Sequence, residues 1–148
     1  MLNVQAVNML LVEDDLGHAR LIQKNLRRAN INNEITLLTD GQQAIDYLFK
    51  EGDYSDSEHG APLLVLLDLN LPVLDGYQVL QRMKQDSRTK RIPVIMLTTT
   101  DDAREVTRCY DLGCNVYITK PVDYNHFSEA IRKIGLFLSV VSVPSESY

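Results

Sequence analysis

A chain of 148 residues, 45% hydrophobic and 24% charged, has the size and balance of one globular domain built on one core. Its net charge of −5 lacks the cationic footprint of non-specific nucleic-acid binding, so no nucleic-acid partner is expected. The opening MLNVQAVNMLLVEDD has no basic segment ahead of its short apolar run, and no stretch is long enough to cross a bilayer. Neither a signal peptide nor a membrane partner is therefore expected.

The first apolar run is VNMLLV (7–12). Like LLVLLD (63–68) and PVIMLT (93–98), it does not alternate with polar residues, and each of the three predicts a strand buried on both faces. Ala19, Ile22, Leu26 and Ala29 then line one stripe of a first helix. EITLLT (34–39) is a weaker strand, followed by a helix marked by Ala44, Ile45, Leu48 and Phe49. A long connection, KEGDYSDSEHGAP (50–62), leads to the run at 63–68 and a third helix with Val79, Leu80 and Met83. After 93–98, Ala103, Val106 and Tyr110 mark a fourth helix that Gly113 ends. VYIT (116–119) is a fifth strand, and Phe127, Ile131, Ile134 and Leu138 mark a fifth helix. Five β-α repeats predict an α/β fold, a doubly wound parallel sheet with helices on both faces. Cys109 and Cys114 form neither a disulfide framework nor a zinc site, and free thiols fit a reducing, cytoplasmic location.

Such sheets bind ligands at the carboxyl ends of their strands. Those ends carry Glu13-Asp14-Asp15, Asp68, Thr98-Thr99-Thr100 and Thr119-Lys120-Pro121. If strands 1, 3, 4 and 5 are neighbours, Glu13, Asp14 and Asp68 repel one another on one rim, and Lys120 returns only one of three charges. A divalent cation would balance the remaining two. Hard oxygen donors with room for water suit Mg2+, with Mn2+ as the expected substitute. Asp68 ends the most apolar stretch of the chain, where a carboxylate can attack phosphorus to form an acyl phosphate. Phosphoryl transfer asks for positioning and charge neutralisation, which the metal, Lys120 and the Thr98 hydroxyl would supply.

These residues give the chain a resemblance, over nearly its whole length, to the response-regulator receiver domains of two-component signalling. The motifs that carry it are Glu13-Asp14, LLDLNLPVLDG around Asp68, Thr98 closing the fourth strand, and YITKP at 117–121. The resemblance implies a flavodoxin-like five-stranded sheet in the order 2-1-3-4-5. It implies that Asp68 accepts phosphate from a sensor histidine kinase. It implies Mg2+ held by Asp14, Asp68 and the Asn70 backbone carbonyl, with Glu13 contributing through water, and a cis-proline at Pro121 aiming Lys120 inward. Thr98 and Tyr117 match the family's switch pair, in which Thr98 moves toward the phosphoryl group and Tyr117 fills the vacated space. The long 50–62 segment, the extended GLFLSVVSVPSESY (135–148), DLNLP and LTTT are similar to the small regulators that partner cyanobacterial phytochromes. Thr99 departs from the small residue usual after the conserved threonine and would narrow access to the phosphoryl group. Asp15 adds an acid whose expected place is the cap of the first helix.

His18, His59 and His126 have no metal-ligand spacing and are expected on the surface, and the acids of 50–62 in a solvated loop. The apolar run from Leu136 to Val143 exceeds one helical stripe. It suggests a homodimer through the fourth helix, fifth strand and fifth helix, with the tail (about 139–148) contributing. One receiver domain spanning 1–148 with no output domain is expected, acting by protein contact or phosphoryl relay rather than by substrate turnover. An aspartyl-phosphate phosphohydrolase would want a second acid where Asn70 stands. A flavin module would want a phosphate-cradling loop where Glu13-Asp14-Asp15 stands. A receiver-like module that only binds partners would have no need of the complete acidic set.

Overall fold

The computed structural model describes residues 8–28, 31–120 and 124–134. In chain order these form β1 (Asn8–Val12), α1 (Leu16–Arg28), β2 (Glu34–Leu38), α2 (Gly41–Phe49), β3 (Leu64–Asp68), α3 (Gly76–Lys84), β4 (Val94–Thr98), α4 (Ala103–Leu112), β5 (Val116–Thr119) and α5 (Tyr124–Ile134). All five strands pair in parallel, in the order β2-β1-β3-β4-β5, the doubly wound topology expected.

Each strand begins and ends within one residue of its expected run, for a physical reason. β1, β3 and β4 lie between two layers of helices, so every one of their positions is buried and the sequence reads as an unbroken apolar word. Successive side chains feed opposite cores. Leu10, Val12, Val65, Leu67 and Met96 face one side with residues of α2 and α3, while Met9, Leu11, Leu66, Ile95 and Leu97 face the other with residues of α1. Fully burying each such side chain is worth about 1.5–3 kcal/mol. No helix among the described residues is long and apolar enough to cross a membrane.

Short polar residues set where the helices start. Asp15 caps α1, its Oδ1 accepting from the His18 amide at 3.0 Å. Asp40 accepts from the Gln43 amide at 2.7 Å, and Asp75 and Gln78 form a reciprocal capping box on α3. Gly113 closes α4 at φ 109°, as expected of its C-terminal glycine.

Two other glycines bring helices into contact with the loop that follows β3. A Cβ on Gly41, at the start of α2, would stand 2.7 Å from the Leu74 carbonyl carbon. One on Gly76, at the start of α3, would stand 2.7 Å from the Leu69 Cα. The Pro72 carbonyl accepts from both the Gly41 amide (3.2 Å) and the Leu74 amide (2.9 Å), with Val73 between them at φ 70°. That is the centre of a tight three-residue turn and an uncommon conformation for a β-branched residue.

The acids of the 50–62 connection are exposed, as expected, but the connection is pinned at several points. It contains a 3-10 turn at Gly52–Tyr54, and Glu51 pairs with Arg82 at 3.4 Å. His59 stacks on Tyr47 with ring centres 3.8 Å apart, its Nε2 donating to the Tyr47 carbonyl at 2.7 Å and its Nδ1 meeting the Ser57 hydroxyl. The expectation of a plain surface histidine is corrected here, because the ring fastens the insertion to α2. Cys109 and Cys114 are both buried free thiols, pushed up by burial to about 11 and about 12. The expected cis-proline at Pro121 and the apolar run 136–143 lie outside the described residues.

Candidate functional site

Sheet order brings the expected residues to one rim. β3 lies between β1 and β4, so Glu13, just past β1, and Thr98, ending β4, flank Asp68, ending β3. Glu13 and Thr98 are fully buried and Asp68 is 5% exposed, whereas Asp14 is exposed. Lys120 follows β5, where its amide donates to the Thr98 carbonyl at 2.6 Å. From there its side chain, only 6% exposed, carries the ammonium to Glu13 Oε1, with which it pairs closely, and to Asp68 Oδ2 at 3.3 Å. Asn70 is exposed two residues beyond Asp68, and its amide donates to Asp68 Oδ1 at 3.3 Å. All four expected strand ends thus meet.

The electrostatics carry the signature of crowding. Asp68 is pushed up to about 6, first by burial and then by hydrogen bonding and charge repulsion from Glu13, with the Lys120 ammonium opposing. Oxygens of Glu13, Asp14 and Asp68 lie within 4.8 Å of one another. Oxygens sharing one octahedral ion of Mg2+ size stand about 3 to 4 Å apart, so small side-chain movements would let this hard donor set close on a divalent cation. One ammonium against three carboxylates leaves charge for such an ion to balance.

The expected switch pair is linked through the β4–α4 loop. Thr98 Oγ1 accepts from the Thr100 amide at 3.4 Å, and the Tyr117 hydroxyl donates to the Thr100 carbonyl at 2.6 Å. Tyr117 is half-buried against the core, and burial is the main cause that pushes its hydroxyl up to about 12. Its amide, on the open edge of β5, donates to the hydroxyl of Tyr110 on α4 at 3.2 Å. Thr99 itself is exposed at the rim.

One residue at this rim was expected to be an idle surface group. His18, in the first turn of α1, places Nδ1 3.2 Å from the Lys120 ammonium and 4.0 Å from Glu13 Oε1. The contact spans 102 residues and belongs to no spacing pattern, so only the sheet order reveals it.

Comparison with known proteins agrees with this geometry. The family model described as the response regulator receiver domain matches residues 9–132. The response regulator Rcp1 of Synechocystis sp. is 39% identical over 138 residues, spanning 93% of this chain and 92% of its own length. The Mn2+-bound structure of Rcp1 superposes with a TM-score of 0.73 at 36% identity, over 96% of each chain. The bacteriophytochrome response regulator RtBRR does so with a TM-score of 0.81 at 41% identity, over 93% of this chain and 80% of that one. The phosphorylated cyanobacterial phytochrome response regulator RcpA gives 0.76 at 38% identity, over 94% and 99%. With family motifs, strand order and rim geometry in agreement, the chain belongs to the response regulator receiver domain family.

Proposed function

We propose that this chain accepts a phosphoryl group on Asp68 from a sensor histidine kinase, in a Mg2+-dependent reaction, and signals by a change of conformation. The observation that carries the reading is the Lys120 ammonium, buried at the sheet rim and shared between Glu13 and Asp68. An ammonium that already touches the candidate nucleophile is placed to meet an oxygen of the phosphoryl group that the nucleophile receives.

In the transfer, an Asp68 carboxylate oxygen forms a bond to phosphorus as the bond from phosphorus to the donor's imidazole nitrogen breaks. Lys120 pairs with one equatorial oxygen of the group in flight, and the Thr98 hydroxyl hydrogen-bonds another. Glu13, Asp14, Asp68 and the Asn70 carbonyl would hold Mg2+, with Mn2+ as its substitute, and Glu13 would act through water. When bound, the ion offsets the charge of the acids and the phosphoryl oxygens. Turning the Thr98 hydroxyl toward the phosphoryl group takes it away from the Thr100 amide, and that loop carries the movement to Tyr117. The similarity to RtBRR and RcpA supports a phytochrome as the sensor.

The test is to offer Mg2+ and acetyl phosphate to the wild type and to Asp68→Asn and to weigh both proteins intact. A phosphoryl adduct of about 80 Da is expected on the wild type alone, and an adduct on both would overturn the assignment.

We place homodimerisation on the face of α4, β5 and α5, where Tyr110 is 42% exposed. Sedimentation of the full chain should show a dimer that is lost on truncation after Ser139. A monomer in both would remove the idea.

A further inference from the structure

Lys120 has three ammonium protons and three acceptors within reach. Two are carboxylates, Glu13 and Asp68 Oδ2 at 3.3 Å. The third is the imidazole of His18, with Nδ1 3.2 Å from the ammonium. An ammonium only donates, so a hydrogen bond at this contact needs Nδ1 free of a proton and the ring proton on Nε2. Asp15 caps α1 by accepting from the His18 amide at 3.0 Å, and that cap fixes the backbone from which the ring extends. In that tautomer His18 is the one uncharged acceptor among the three.

We propose that His18 is a positioning residue for phosphoryl transfer, holding the Lys120 ammonium in place by accepting a hydrogen bond. The inference rests on Asp68 being the phosphoacceptor. A lysine side chain has many rotamers, and ordering it costs free energy in every encounter with a phosphoryl donor. Its two carboxylate partners are also the residues with other work to do. Asp68 must turn an oxygen to phosphorus, and Glu13 belongs to the donor set that fits a divalent cation. As they turn away, the ammonium loses its anionic partners, and His18 keeps it over the site. Once Asp68 carries the phosphoryl group, its own negative oxygens hold the ammonium and His18 is no longer needed. His18 therefore affects formation of the acyl phosphate and leaves its decay almost unchanged, a split that a general disturbance of the fold does not produce.

The His18 side chain is 43% exposed, so substitutions there are compatible with folding. Three proteins are compared: wild type, His18→Leu, which has no acceptor, and His18→Gln, which has a side-chain carbonyl. Adduct formation from acetyl phosphate at saturating Mg2+ is followed by intact mass, and decay is followed after the donor is removed. His18→Leu should form the adduct about tenfold more slowly, the effect of losing one hydrogen bond to a charged group. His18→Gln should recover to within about threefold of wild type, and decay of the adduct should be unchanged in both. In the metal-free protein, where both carboxylates still hold the ammonium, the ¹⁵N ammonium signal of Lys120 should exchange faster in His18→Leu, which frees one of its three protons, than in the wild type and His18→Gln. Formation at the wild-type rate in His18→Leu, failure of His18→Gln to recover, or equal slowing of formation and decay would each overturn the proposal. Asp68→Asn runs beside these variants. An adduct there overturns the phosphoacceptor reading and this one with it, whereas an adduct confined to Asp68 with no effect of His18→Leu overturns this one alone.

Discussion

Lys120→Met is expected to destabilise the metal-free protein by about 3 kcal/mol and to lose much less in the presence of Mg2+. The side chain is 6% exposed and its close partner Glu13 is fully buried. Methionine keeps most of the apolar stem, so the loss isolates the charge. Without the ammonium, Glu13 and Asp68 face each other with no counter-ion, and breaking a buried pair from one side costs about 3–5 kcal/mol. Protonation of one acid relieves part of that, which sets the expectation at the lower end. A divalent ion takes over the missing positive charge. Urea denaturation with chelator and with Mg2+ provides the comparison, and an identical loss in both would show that charge balance does not hold this rim together.

Asp68→Asn should stabilise the metal-free protein at pH 7.5 by about 1–2 kcal/mol, allowing for screening at the partly open rim. Asp68 is raised to about 6 by burial and by Glu13, against about 3.9 in an unfolded chain. A carboxyl group whose folded value is raised binds its proton more tightly in the native state, so it favours folding below about 4. That contribution is lost as pH rises through 4 to 6, and above 6 the wild type holds a charge that the rim disfavours. Asparagine does not titrate there. The two melting curves should therefore differ most at pH 7 to 8 and converge as the pH falls toward 4. A constant offset across that range would mean that Asp68 ionises normally.

Much of this was legible in the sequence because a parallel sheet writes itself plainly. Strands buried on both faces must be apolar throughout, so a charged residue closing such a run, as Asp68 does, stands out. Glu13 and Thr98 are legible for the same reason, at the sharp ends of β1 and β4, whereas Lys120 follows the half-open edge strand β5 and is marked by the Thr-Lys-Pro sequence around it. What stayed hidden depends on how separate segments cross. His18 meets Lys120, His59 stacks on Tyr47, the Tyr77 hydroxyl donates to Glu105, and the Tyr110 hydroxyl receives the Tyr117 amide. Each pairs residues too far apart, or too ordinary in type, for any spacing rule to mark. The glycines at 41 and 76 read as helix breakers or turn residues until the neighbouring backbone is seen against them.

Those two close approaches make the site mechanically lopsided. α2 and α3 press their first residues onto the segment that trails Asp68, leaving no clearance for even a methyl group. Across Asp68 from them, Thr99 and Asp101 are exposed, and Thr100 between them is tied to Thr98 and Tyr117 by one polar contact each. Strain introduced at the carboxylate will therefore be shed in one direction, toward the softer shoulder of the sheet, while the clamped shoulder acts as the bench vice against which the other side is bent.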